Sequence, residues 1–172
     1  GVQTCALPIF RNWFGDSKVV NPDGSPKVMY HGTKADFAAF DPAKVGSAYG
    51  IDEQGFYFTD REDEAWKWAG RSPTAKVLPV YLSVKKPWEI DAPDGMSPVA
   101  YFESGEGVFN RGQQATVDYA VSSGYDGMIV RGNDETMVVA FEPTQIKSVR
   151  NPGGWDASNP EIMANVDMPD YI

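Results

Sequence analysis

Tyr30-His31-Gly32-Thr33 and, further along, Gly55-Phe56-Tyr57-Phe58-Thr59-Asp60 are the two stretches that decide how this chain is read. His31 is the only histidine in 172 residues. Ahead of it, Val19-Val20 and Val28-Met29-Tyr30 are short β-like runs. Between them Asn21-Pro22-Asp23-Gly24-Ser25-Pro26 is a turn signal, so a hairpin leads into His31. Phe56 to Thr59 has strand composition. Asp60 then reads as a helix N-cap, with Glu62, Asp63 and Glu64 placing negative charge in the first turn. The helix is expected to run to Ala69 and to end at Gly70.

Outward from these motifs the chain reads as one α+β unit over residues 10–150. Residues 33–54 look irregular, with Phe37 and Phe40 as anchors. A strand is expected from Lys76 to Lys86, stopped by Pro87, followed by a long connection over residues 87–112. Gln113 to Ser123 suits a helix capped by Gly124. Met128-Ile129-Val130 and Thr136 to Phe141 read as two strands turned by Asn133-Asp134. Gln145 to Val149 suits a last strand, and residues 151–172, rich in Pro, Gly and Asn, suit an arm or linker.

Composition narrows the function classes. Hydrophobic residues make up 42% and aromatics 13%, a globular composition with enough apolar matter for a core. A net charge of −9, from 24 acidic and 15 basic residues, disfavours a generic phosphate-backbone binder. A local basic patch remains compatible with it. No apolar run approaches the ~20 residues needed to span a bilayer, so no membrane partner is expected. Gly1 to Ile9, GVQTCALPI, resembles translated sequencing adapter and lacks the basic start and apolar core of a signal peptide. On that basis residues 1–9 are expected to be an artefact and Phe10 to lie inside a longer chain, of which this is expected to be a monomeric domain. Cys5, the one cysteine, would then be foreign, which leaves no disulfide and no cysteine-based metal site; no metal is expected.

The two opening motifs, in this order, resemble the NAD-binding core of the His-Tyr-Glu ADP-ribosyltransferases, the group that includes the diphtheria-toxin and poly(ADP-ribose) polymerase types. Three further stretches are similar to the ADP-ribosyltransferase domain of polyvalent proteins, large products of phages and mobile elements. They are Asn12-Trp13-Phe14-Gly15-Asp16-Ser17-Lys18-Val19-Val20, Gly127-Met128-Ile129-Val130, and Met137 to Pro143 with Gln145-Ile146-Lys147-Ser148. The resemblance implies two small, mostly antiparallel sheets packed around an NAD cleft, with peripheral helices. It implies NAD+ as substrate, transfer of ADP-ribose to an unknown macromolecular acceptor, protein or nucleic acid, and release of nicotinamide. A toxin-like role in the cytoplasm of a phage or mobile-element host is the matching expectation. Three alternatives stay open: NAD+ hydrolysis, an inactive NAD-binding module, and a structural domain in which His31 and Tyr57 are plain core.

The same resemblance assigns roles. Cleavage of the glycosidic bond passes through an oxocarbenium-like state, so the site must hold the nicotinamide and ribose and set negative charge near the developing cation. Tyr57 would stack on nicotinamide. The second aromatic of the relatives falls eleven residues later, on Trp68, which lacks their phenol. His31 would bond a ribose hydroxyl, Gly32 would clamp the carboxamide through its backbone, and Thr33 completes the NAD-binding motif. The relatives' catalytic glutamate stands eight residues before the glutamine that matches Gln145, and that register lands on Met137. Glu135, two residues earlier and on the same strand face, is the catalytic candidate, with Asp134 as the neighbouring alternative. The side chains of His31 and Tyr57 are expected in one pocket on adjacent strands, with Trp68 facing it. Their appearance on opposite sides of the sheet would remove this ground for the NAD+ reading altogether.

Overall fold

A computed structural model describes residues 7–41, 55–153 and 155–163. Seven strands form one continuous sheet, β1 (Met29–Thr33), β2 (Phe56–Thr59), β3 (Lys76–Leu82), β4 (Pro87–Asp91), β5 (Gly127–Gly132), β6 (Glu135–Ala140) and β7 (Ile146–Ser148), in the order β4-β5-β6-β2-β1-β3-β7. All neighbours are antiparallel except β4 and β5. The α+β class is as expected; the two separate sheets are not, because β1 and β2 connect the halves. That connection is thin. β1 and β2 share a single register pair, Tyr30 with Thr59, whereas β2 and β6 share four.

Four helices flank the sheet: α1 (Leu7–Phe14), α2 (Glu62–Ala69), α3 (Pro98–Ser104) and α4 (Gln113–Ser122). One sheet face feeds a cluster that includes Met29, Phe56, Phe58, Val80, Ile129 and Val138. The other face of β5 and β6 meets α3 and α4 through Phe102, Val117, Met128, Met137 and Val139. Strict alternation along β6 produces this division, since successive strand residues point to opposite faces. A third cluster joins Phe10, Trp13 and Phe14 of α1 to Tyr81 and Trp155.

Several expectations need correction. Asp60 does not cap α2; the cap position is Arg61, without a side-chain bond. Asp60 instead accepts from the Thr136 amide at 2.9 Å and pairs with Lys27 at 2.9 Å, tying β2 to β6 and to the turn before β1. The expected connection over residues 87–112 holds β4, α3 and a 3-10 turn at Gly107–Phe109. Pro87 is not a stop but the first residue of an edge strand, where its missing N–H costs no ladder bond. The 21–26 turn is present, but its flanks meet only in the isolated bridge Val20 with Pro26. Residues 155–163 are no free arm. Trp155 is 2% and Ile162 5% exposed, the Ile162 amide donates to Ala38 O at 2.9 Å, and its carbonyl accepts from the Ser148 amide at 2.9 Å. Beneath this segment the buried Lys147 ammonium donates to the carbonyls of Asn159 and Glu161.

Other expectations hold. Gly70 ends α2 with φ +75°, and Asn133 and Asp134, at φ +47° and +58°, make the tight turn between β5 and β6. Phe37 and Phe40 are ring partners at 4.9 Å, as anchors should be. The expectation of an artefact at residues 1–9 is not among these: residues 1–6 lie outside the described residues, and residues 7–9 belong to the first turn of α1, with Pro8 and Ile9 exposed. Residues 42–54 and 164–172 also lie outside them.

Candidate active site

The seam between β1 and β2 is where the two motifs meet. Past the Tyr30–Thr59 pair no further register pair joins the strands. The His31 ring takes that space, with Nδ1 2.8 Å from the Tyr57 carbonyl oxygen. A carbonyl only accepts, so Nδ1 carries the proton, and in the neutral ring Nε2 is left as an acceptor. Burial pulls the His31 pKa below its ordinary value, and the Tyr57 carbonyl opposes this only in part. His31 is therefore neutral at pH 7.

The backbone of Gly32 opens onto the same seam. Pro79, paired with Tyr30, directs its carbonyl away to the Val149 amide. Tyr30 and Pro79 are thus a non-hydrogen-bonded pair of the β1–β3 ladder, and the polar groups of Tyr30 point to β2. By the two-residue period those of Gly32 do so as well, at a point where β2 gives them no register partner. On its Cα side Gly32 is closed: a Cβ there would lie 1.8 Å from the Ala65 carbonyl oxygen of α2.

The side chains of His31 and Tyr57 do not share a pocket. The His31 ring packs edge-on to Phe40 at 4.9 Å and near Phe58 at 5.5 Å. Tyr57 neighbours Phe58 in sequence and so points to the opposite face, where its ring lies 5.4 Å from that of Phe102. The expected convergence fails, and the contact between the motifs is instead the one from His31 Nδ1 to the Tyr57 carbonyl. Trp68 is partly buried on α2, whose buried Ala65 and Ala69 pack onto β1. Thr33 ends β1, and its hydroxyl accepts from the Ala35 amide at 3.0 Å, a local turn bond.

Glu135 shares a face with Tyr57 and not with His31. It opens β6, and Glu135, Met137 and Val139 alternate toward the side that carries Tyr57 and Phe102. Met137, where the family register falls, is plain core at 2% exposure. Glu135 is 6% exposed, makes no ion pair among the described residues, and accepts from the Thr59 hydroxyl at 2.9 Å. Burial raises its pKa above the ordinary carboxylate value; the Thr59 bond lowers it, Glu64 and Asp60 raise it further, and Arg61 lowers it. Asp134 is exposed in the turn. Gln145 is structural: its Oε1 accepts from the amides of Phe141 and Glu142, and its Nε2 donates to the carbonyls of Ser83 and Asp126. Thr59 escaped notice in the sequence, although two-residue alternation from Tyr57 already placed it on the same face.

The site thus comprises a β1–β2 seam carrying the His-Gly backbone and the aromatic strand, with a buried carboxylate at the far end of β2. Residues 21–156 match the family described as ADP-ribosyltransferase in polyvalent proteins, and the chain belongs to that family. Comparison with curated proteins finds no match.

Proposed function

We propose that this domain takes NAD+ as donor and transfers ADP-ribose to a nucleophilic group of a macromolecule. The bond from ribose C1′ to the nicotinamide nitrogen breaks, and nicotinamide leaves neutral with the electron pair. The acceptor's nucleophile bonds to C1′ and gives up its proton. The observation that carries this reading is Glu135, a buried carboxylate that makes no ion pair among the described residues. Such a group weakens a fold, and its presence is accounted for by work on a developing positive charge.

The motif-based ground for NAD+, convergence of the His31 and Tyr57 side chains, fails because they lie on opposite faces, so support for an ADP-ribose donor now comes from family membership. In place of that convergence, the nicotinamide ribose would cross the seam. Gly32 N–H and C=O match the carbonyl and amide of a carboxamide, and His31 Nε2 would accept from a ribose hydroxyl. Tyr57, on the face of Glu135, would cover the nicotinamide, with Trp68 closing from α2. Family membership supports the transfer chemistry independently of any one of these residues.

The test is nicotinamide release from NAD+ by the full chain, with the acceptor sought by a mass shift of the ADP-ribosyl group in a mixture of proteins and nucleic acids. Glu135→Gln is expected to lower kcat by roughly 10²–10³, the scale of one preorganised electrostatic group, while NAD+ affinity changes little. Release with no labelled macromolecule would assign water as acceptor. No binding of NAD+ would refute the proposal.

A further inference from the structure

The family resemblance gives Thr59 no role, yet it is fully buried and touches the one buried carboxylate among the described residues. Its hydroxyl is committed at both ends. Oγ1 accepts from the Arg61 amide at 3.1 Å. A hydroxyl has a single proton, and this one points to Glu135 Oε1 at 2.9 Å. With Glu135 ionised its oxygens can only accept, so the Thr59 hydroxyl donates.

The two carboxylate oxygens are consequently unlike. Oε1 is held. Oε2 takes no hydrogen bond from the described residues, and it is not sealed in either, because Trp155 Nε1 is the sole enclosed side-chain polar atom among them without a partner. The backbone beneath is equally constrained. Glu135 pairs with Gly132 across the Asn133-Asp134 turn, and the next residue's amide is held by Asp60 Oδ1 at 2.9 Å. The side-chain torsions of Glu135 remain, and the Thr59 bond is the one side-chain hydrogen bond among the described residues that restrains them.

Resting on the transfer reading above, we propose that Thr59 is a positioning residue for Glu135, anchoring Oε1 so that Oε2 alone is presented to the ribose. The hydroxyl also favours the ionised carboxylate, since it donates to it and burial works the other way. Thr59 acts through Glu135 and need not touch NAD+.

The experiment compares wild type, Thr59→Val, Thr59→Ser and Glu135→Gln as full chains. Nicotinamide release from NAD+ is followed across pH, and the Glu135 side-chain carboxyl is titrated by carbon-13 NMR without NAD+. Thr59→Val keeps the shape and removes the hydroxyl. It is expected to cut kcat roughly 10–100-fold, the worth of a hydrogen bond to a charged group, with KM unchanged. The acid limb of its pH profile and the NMR midpoint of Glu135 should both move to higher pH, and Thr59→Ser should restore all three. If the loss of the Arg61 amide's partner prevents folding, Thr59→Cys, a weak donor of similar size, takes its place. An unmoved Glu135 midpoint with undiminished kcat in Thr59→Val overturns the proposal. Full activity in Glu135→Gln would instead sink the role of Glu135 in transfer, and the NMR titration would still read the Thr59–Glu135 pair separately.

Discussion

Replacing Gly32 by alanine isolates what the glycine of the first motif does for the fold. The added Cβ would stand 1.8 Å from the Ala65 carbonyl oxygen and 2.8 Å from both the Ala65 carbonyl carbon and the Ala69 nitrogen. Carbon and oxygen tolerate each other at ~3.3 Å or more, so α2 would have to retreat by about 1.5 Å. The obstacle is helix backbone, which has no rotamer to change. Gly32 does not sit at positive φ, so alanine meets no conformational penalty of its own. Overpacking costs ~1–3 kcal/mol, and a backbone obstacle puts this case near ~3 kcal/mol. For a chain of this length each kcal/mol moves Tm by about 2–4 °C, so Gly32→Ala should lower Tm by roughly 6–12 °C. Circular dichroism with heat and with urea measures it, with the urea slope unchanged if the fold is intact. Adding Ala65→Gly should not rescue the variant, because the clash is with a carbonyl and not with a methyl. A Tm within about 1 °C of wild type would refute the close packing of α2 on β1.

Glu135→Gln should raise stability at pH 7 even as it removes activity. The folded pKa of Glu135 lies above its unfolded value, so its ionisation favours the unfolded chain. The native state keeps its full advantage below the unfolded pKa and loses it as pH rises through the folded pKa. The Tm gain of the variant should therefore shrink as pH is lowered toward the carboxylate range, and a gain independent of pH would contradict the burial of the charge. For His31, nitrogen-15 NMR should find the Nδ1–H tautomer at pH 7 and a titration midpoint below the ordinary histidine value; an Nε2–H ring would break the proposed bond to Tyr57. Trp155→Ala should cost ~3–5 kcal/mol, as large aromatic truncations in cores do, and a cost under ~0.5 kcal/mol would return residues 155–163 to the status of a free arm. If residues 1–9 are an artefact, deleting them should leave Tm essentially unchanged in the same scan, and a loss on the order of 1 kcal/mol or more would mark the segment as native.

What the sequence determined by itself was local. Strand alternation in Phe56-Tyr57-Phe58-Thr59, the glycine after α2 and the Asn133-Asp134 turn depend on a few neighbouring residues, and each appears where it was expected. Ordered motifs were enough to find the family. Their register falls on Met137, which is core, and Glu135 takes its place because a two-residue shift keeps the strand face. The tertiary structure decided the rest. Pro87 opens a strand because β4 is an edge, a fact about neighbours in space. Asp60 caps no helix because β6 and Lys27 claim its carboxylate. Trp155 and Ile162 look like linker residues until α1, Tyr81 and Ala38 are brought beside them. Above all, which faces His31 and Tyr57 occupy depends on the register of β1 against β2. A one-residue difference in register turns every side chain over, and no local pattern sets it. The opening of that seam, with a histidine ring in place of ladder bonds, comes from pairing between strands that are distant in sequence.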